Sequence, residues 1–163
     1  ARAFPNCDFH GYDNSANALR LAEENKRTAG VTNVTFHNPD HDPLPGEPTF
    51  DLVTTFDCLH DMPRPDIVAR AIRSAIKTEG TWFIVDIAGG ATLDENLRHP
   101  MAALLYGASL MTCLSSSMST ADGGGYGTLG LPAGRMKELV LTPDFQQARG
   151  LEHPLNAYYI ARP

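Results

Sequence analysis

Apolar residues along this chain recur in two rhythms. Short runs rich in aromatic and β-branched residues read as strands: Cys7–Tyr12, Val34–His37, Phe50–Phe56 and Thr81–Ile87. The third and fourth are nearly continuous in apolar character, which predicts burial on both faces. Between them the spacing lengthens to that of helices. Ala18, Leu19, Ala22 and Ala29 share a helical face, with Ser15 as the N-cap and Gly30 as the stop. Ile67, Val68, Ala71, Ile72, Ala75 and Ile76 form a second face, with Pro65 in the first turn and an end near Gly80. Ala1–Asn6 reads as the tail of a helix, halted by Pro5.

The second half changes character. Leu93–Ser119 reads as helical, with Met101, Leu104, Leu105, Ala108, Leu110 and Met111 on a broad apolar face, fit for core or for a lid over an apolar acceptor. The glycine-rich stretch Asp122–Gly130 follows no strand and precedes no Gly-Lys-Ser/Thr, so it is not a phosphate loop. A short helix is expected over Ala133–Val140. Two closing strands, Phe145–Leu151 and Asn156–Ala161, are expected about a turn at His153–Pro154.

Strands alternating with helices imply an α/β fold with a parallel sheet, whose ligands bind outside the carboxyl ends of the strands. Asp13, Asp40, Phe56, Asp57 and Asp86 all fall at or just past a strand end. An acid closing a strand in such folds bonds the ribose hydroxyls of an adenosine cofactor.

Composition narrows the partners. The 163 residues fit one domain, and a formal charge of −6 argues against nucleic acid as a partner. No apolar stretch is long enough to span a bilayer and none has a signal-peptide layout, so no membrane partner is expected. Cys7, Cys58 and Cys113 are widely spaced and read as reduced, buried thiols of a cytoplasmic protein, with no disulfide or zinc site. Asp40, His41 and Asp42 match no standard metal-ligand spacing, and no metal is expected.

The order of motifs resembles the class I S-adenosylmethionine-dependent methyltransferases. The likeness runs through Gly11-Tyr12-Asp13-Asn14-Ser15, Phe36 with Asp40, Leu44-Pro45 and Phe50-Asp51-Leu52-Val53. It continues through Asp57 with His60-Asp61 and the turn Glu79-Gly80-Thr81. Glu95-Asn96, His99-Pro100, Tyr106, Ser109, Cys113 and the closing Asn156-Ala157-Tyr158-Tyr159 resemble the group whose catalytic domain follows an N-terminal winged-helix domain, often of the methyltransferase type 12 kind. The resemblance implies a Rossmann-like sheet with helices on both faces and an antiparallel C-terminal hairpin. It also implies that 1–163 is a single catalytic domain, with a helical and glycine-rich insertion at about 91–131 on the acceptor side. The family's first strand and glycine-rich motif have no counterpart before Cys7, so the domain is expected to be truncated at its N-terminus.

By the same resemblance, the cofactor is S-adenosylmethionine, with S-adenosylhomocysteine as product, and the acceptor is a small molecule methylated at oxygen or nitrogen. Asp13 matches the ribose-binding acid, Asn14 the position against the adenine, and Asp40, with the His41 backbone beside it, the group meeting the adenine amino group. Phe56 and Asp57 match the opening onto the cofactor's methionine end. A homodimer is compatible with the family. From the residues themselves, each acid also has a plainer reading as a turn former or solvated loop residue. His60 suits a general base because its ordinary pKa lies near neutrality; it would equally serve to cap a helix or bond a loop. Two other functions fit parts of the chain. One is a non-catalytic remnant that works only with a partner. The other is a nicotinamide-dependent oxidoreductase, which would lack its Tyr-x-x-x-Lys pair and would require parallel closing strands.

Overall fold

In the computed structural model Ala1–Leu44 form one unit and Pro45–Pro163 a second. The structure describes residues 1–126, 129–140, 142, 144–148 and 153–163.

The first unit is a strand, a helix and a parallel strand: β1 (Phe9–Tyr12), α1 (Ala16–Ala29) and β2 (Val34–His37). Phe9 lies opposite Val34 and Tyr12 opposite His37. Ser15 caps α1, its hydroxyl accepting from the Ala18 N–H at 3.3 Å. Gly30 ends the helix in the left-handed region at φ 64°, with Lys26 and Arg27 on the last turn where cations suit the helix dipole. Gly11 packs closely on Phe36: a Cβ there would lie 2.7 Å from its Cδ1, and the ring would have to shift. The expected helix tail at Ala1–Asn6 is instead a pair of turns, Phe4 N–H to Ala1 O and Cys7 N–H to Phe4 O. Six residues ahead of a strand cannot repay helix nucleation. The Asn33 side-chain amide instead donates to the carbonyls of Phe4 and Cys7, and β1 starts at Phe9 rather than Cys7.

The second unit opens with β3 (Phe50–Phe56), a 3-10 turn at Leu59–Asp61, α2 (Pro65–Ala75) and β4 (Ile76–Ile87). Short helices follow: α3 (Leu93–Leu97), α4 (Ala102–Met111), α5 (Cys113–Ser117) and α6 (Ala133–Val140). It closes with β5 (Asp144–Gln147) and β6 (Asn156–Arg162). The sheet order is β3-β4-β6-β5, with β3 parallel to β4 and the last two strands antiparallel to their neighbours. This closing antiparallel hairpin is the one expected, and it fails the condition set by the oxidoreductase alternative. The expected end of the penultimate strand, Leu151, lies outside the described residues.

The core joins Trp82 and Ile84 of the sheet to Leu59, Ile72, Met136 and Val140, with α2 packed against α6. Trp82 keeps its indole N–H satisfied on the Thr55 hydroxyl at 3.1 Å.

Four further features differ from the sequence expectations. The helix over Pro65 ends at Ala75, not near Gly80, because Ile76 turns to extended backbone and takes a buried place in the sheet. The β3–β4 register then jumps, from Phe50 opposite Ile76 to Leu52 opposite Thr81. Gly80 fits the crowded bulge: a Cβ would meet Ile76 Cγ1 at 2.7 Å and the Lys77 carbonyl at 2.9 Å. Strand β3 is not buried on both faces, since Leu52 and Phe56 are exposed. The single long helix over 93–119 is three short ones, interrupted around Pro100, which has no N–H to offer, and at Thr112. Their apolar face is not core, as Leu104, Leu110 and Met111 are 63%, 58% and 77% exposed.

Candidate active site

Within the first unit the predicted cofactor residues stand at the strand ends. Asp13 directly follows β1, its N–H donating to the His37 carbonyl at 3.1 Å, which extends the β1–β2 pairing by one bond. Its carboxylate Oδ1 accepts from the Ser15 N–H at 2.7 Å. This is an Asx-type turn feeding the helix start, the plainer role expected of Asp13. The side chain is nonetheless exposed, as is Asn14 beside it. After β2, the Asp40 N–H donates to Asn38 Oδ1 at 2.9 Å and the His41 N–H to the Asn38 carbonyl at 3.0 Å. Asn38 thus folds the loop that presents the exposed Asp40 and His41. His37 adds a feature that strand periodicity did not signal. It is stacked between His10 and Tyr12, with Nδ1 2.6 Å from Asp42 Oδ2.

Within the second unit the ends of β3, β4 and β6 converge. Phe56 is exposed at the end of β3, edge-on to Phe83. Asp57 follows with φ at 46°, a left-handed conformation uncommon for a residue other than glycine. Its backbone N–H donates to the Val85 carbonyl at 2.9 Å, and its Oδ1 accepts from Asn156 Nδ2 at 2.8 Å. Partial burial raises the Asp57 carboxyl pKa, and the nearby charge of Asp86 raises it further.

His60 lies in the 3-10 turn and is 1% exposed. Its Nδ1 is 2.7 Å from Asp86 Oδ1, which also accepts from the Ile87 N–H at 2.7 Å. Its Nε2 is 3.1 Å from Asp61 Oδ1. Burial alone would pull the imidazole pKa down, but the hydrogen bond to Asp86 and the charges of Asp86 and Asp61 outweigh it and hold it at about 9. At neutral pH the ring is an imidazolium between carboxylates, with no lone pair open to solvent. The plainer expectation, a histidine bonding a loop, describes this state better than a ready general base does. Cys58 beside it is pushed by burial up to about 11 and is a neutral thiol.

The structure therefore groups Asp57 with His60 in one unit and Asp13, Asn14, Asp40 and His41 in the other. Three partners of the Asp57–His60 group were not among the predicted site residues. Asp86 carried a readable signal, as an acid at a strand end. Asn156 and Cys113 stood in the family resemblance without a role, since hydrogen bonding joins Asn156 to a residue 99 positions away, and Cys113 reaches His60 from α5. The cysteines are all free, but none is fully buried as expected: Cys7 is exposed, and Cys58 and Cys113 are half-buried.

A family model described as a methyltransferase domain matches residues 1–128. No curated protein is similar enough in sequence to match. Among solved structures, a candidate O-methyltransferase from Nostoc punctiforme PCC 73102 superposes with a TM-score of 0.71 at 19% identity, covering 100% of this chain and 46% of that one. The CMeT domain of a citrinin polyketide synthase gives 0.66 at 16% identity, with 95% and 38% covered. The protein LepI, solved in complex with SAM, gives 0.63 at 14% identity, with 99% and 38% covered. The chain thus spans less than half the length of each of these proteins. At such identities the likeness establishes the fold, a Rossmann-like methyltransferase sheet closed by an antiparallel hairpin.

Proposed function

The chain belongs to the methyltransferase-domain family, and from that membership we propose that it takes part in S-adenosylmethionine-dependent methyl transfer to a small-molecule acceptor, at oxygen or nitrogen. The observation that carries the reading is the Asp13 strand end. An exposed carboxylate, aimed by one bond to the Ser15 N–H, suits a pair of ribose hydroxyls. SAM bound to LepI supports the choice of cofactor.

In this reading Asp13 and Asn14 hold the ribose and adenine, and Asp40 and the His41 backbone meet the adenine amino group. When bound, the cofactor supplies a methyl group on a sulfonium leaving group. Such a displacement asks the protein chiefly for alignment and exclusion of water. The Asp57–Asn156 bond and the Asp86–His60 bond fix the strand ends that perform the alignment. Asp57, whose carboxyl pKa partial burial raises, takes the proton of a hydroxyl acceptor. His60 acts there as a positioning residue.

Calorimetric titration of the chain with S-adenosylmethionine tests the assignment. A charged hydrogen bond is worth about 1.5–3 kcal/mol, so Asp13→Ala is expected to weaken binding about 10–100-fold. Equal affinity in a folded variant would overturn the role of Asp13. A folded parent chain that binds no S-adenosylmethionine would overturn the cofactor itself.

A second reading, as a subunit that works in association with another copy or another chain, is favoured by the uncovered apolar face of α4. Sedimentation as a monomer that still binds cofactor would sink it.

A further inference from the structure

The environment of His60 has the form of a metal site, and we propose that His60, Asp61 and Cys113 bind a zinc-class divalent ion. The inference does not depend on the methyl-transfer reading.

Three observations carry it. The first is the donor set. One ligand atom each from His60, Asp61 and Cys113 lie within 4.8 Å of one another, supplied by the 3-10 turn and by the first residue of α5. Imidazole nitrogen, carboxylate oxygen and thiolate sulfur are the donors zinc takes, and three protein ligands with an open fourth position form its catalytic pattern.

The second is the support behind the ring. Nδ1 is committed to the fully buried Asp86 at 2.7 Å, which leaves Nε2 as the coordinating nitrogen. A carboxylate holding the far nitrogen of a histidine is the usual outer support of a metal-bound imidazole.

The third is an orphan. Asp61 Oδ1 is buried and makes no well-formed hydrogen bond, although it lies 3.1 Å from His60 Nε2. The His60 ring meets its charge, but no donor hydrogen fills its lone pair, an under-satisfaction that a coordinating ion would relieve. Metal ligands bind deprotonated, so the ring Nε2 and the thiol lose their protons to solvent on binding.

Cobalt(II) is the probe, because a cobalt–thiolate bond gives a charge-transfer band in the near ultraviolet. Titration of the full chain is expected to saturate at one ion with that band, and zinc is expected to displace it. Cys7→Ser should keep the band, since Cys7 is an exposed thiol elsewhere. Cys113→Ser, nearly isosteric, should abolish it. Asp86→Asn should keep the band and weaken zinc affinity about 10–100-fold, the usual effect of losing an outer partner. A band that survives in Cys113→Ser, or its absence from the folded parent chain, overturns the proposal.

Discussion

Helix α1 runs 14 residues without one buried side chain, whereas α2, with 11, buries Pro65, Ala69, Ile72 and Ala75. The contrast extends to the units that hold them. Directional bonds hold the first unit: the Ser15 cap, the Asn33 amide on two carbonyls, and Arg2 on the Ala29 carbonyl. The second rests on a dry core around Trp82, Ile84 and Met136. The candidate site residues divide the same way. Asp13 and Asp40 are exposed, while His60 and Asp86 are buried and bonded to each other. Similar residue types at similar strand ends thus stand in two environments, one open to solvent and one closed to it.

The largest test of this contrast is a cavity in the second unit. Ile84→Ala is expected to cost about 2–5 kcal/mol, as deletions of buried aliphatic side chains do. The chain has one tryptophan, Trp82, within that core, so its fluorescence in urea follows the second unit. A loss below about 1 kcal/mol would show that the core does not dominate there.

That core was legible as a set of elements before the structure was known. The periodicity of Ile67 to Ile72 and the apolar run Thr81–Ile87 led directly to α2 and most of β4. Caps and turn chemistry likewise marked α1 within a residue at each end. What local sequence could not show was which partner each element finds. The exposure of Leu52, Phe56 and Leu104 depends on what covers them, and periodicity reads only amphipathicity. The site divides in the same manner. Asp13, Asp40 and Asp57 were visible as acids at strand ends. The imidazolium state of His60 was not, because it arises from Asp86, on a strand 26 positions away.

A smaller effect follows from that pair. The His60 pKa is raised from its ordinary 6.5 to about 9 on folding. The folded state therefore binds the proton more tightly, and the resulting stability is complete below about pH 6.5 and lost as the pH rises through 9. With chelator present, the urea midpoint followed by Trp82 should fall between pH 6.5 and 9.5. His60→Gln should flatten that slope within the window. A parent chain whose midpoint is level there would mean that the folded protein does not hold the extra proton, and the buried group would lose its positioning role.

The smallest effect separates the two units most finely. Ser15→Ala removes the side-chain acceptor from the Ala18 N–H and should cost about 1 kcal/mol, the usual value of an N-cap. Because α1 has no buried face to compensate, the whole cost should fall on local opening of the helix. Amide exchange across Ala16–Ala29 should quicken by about fivefold, the factor that corresponds to 1 kcal/mol. The Trp82 urea midpoint should stay where it is. If that midpoint instead drops by an equivalent amount, the directional bonds of the first unit and the core of the second melt as one cooperative structure, and their separate modes of stabilisation do not give separate stabilities.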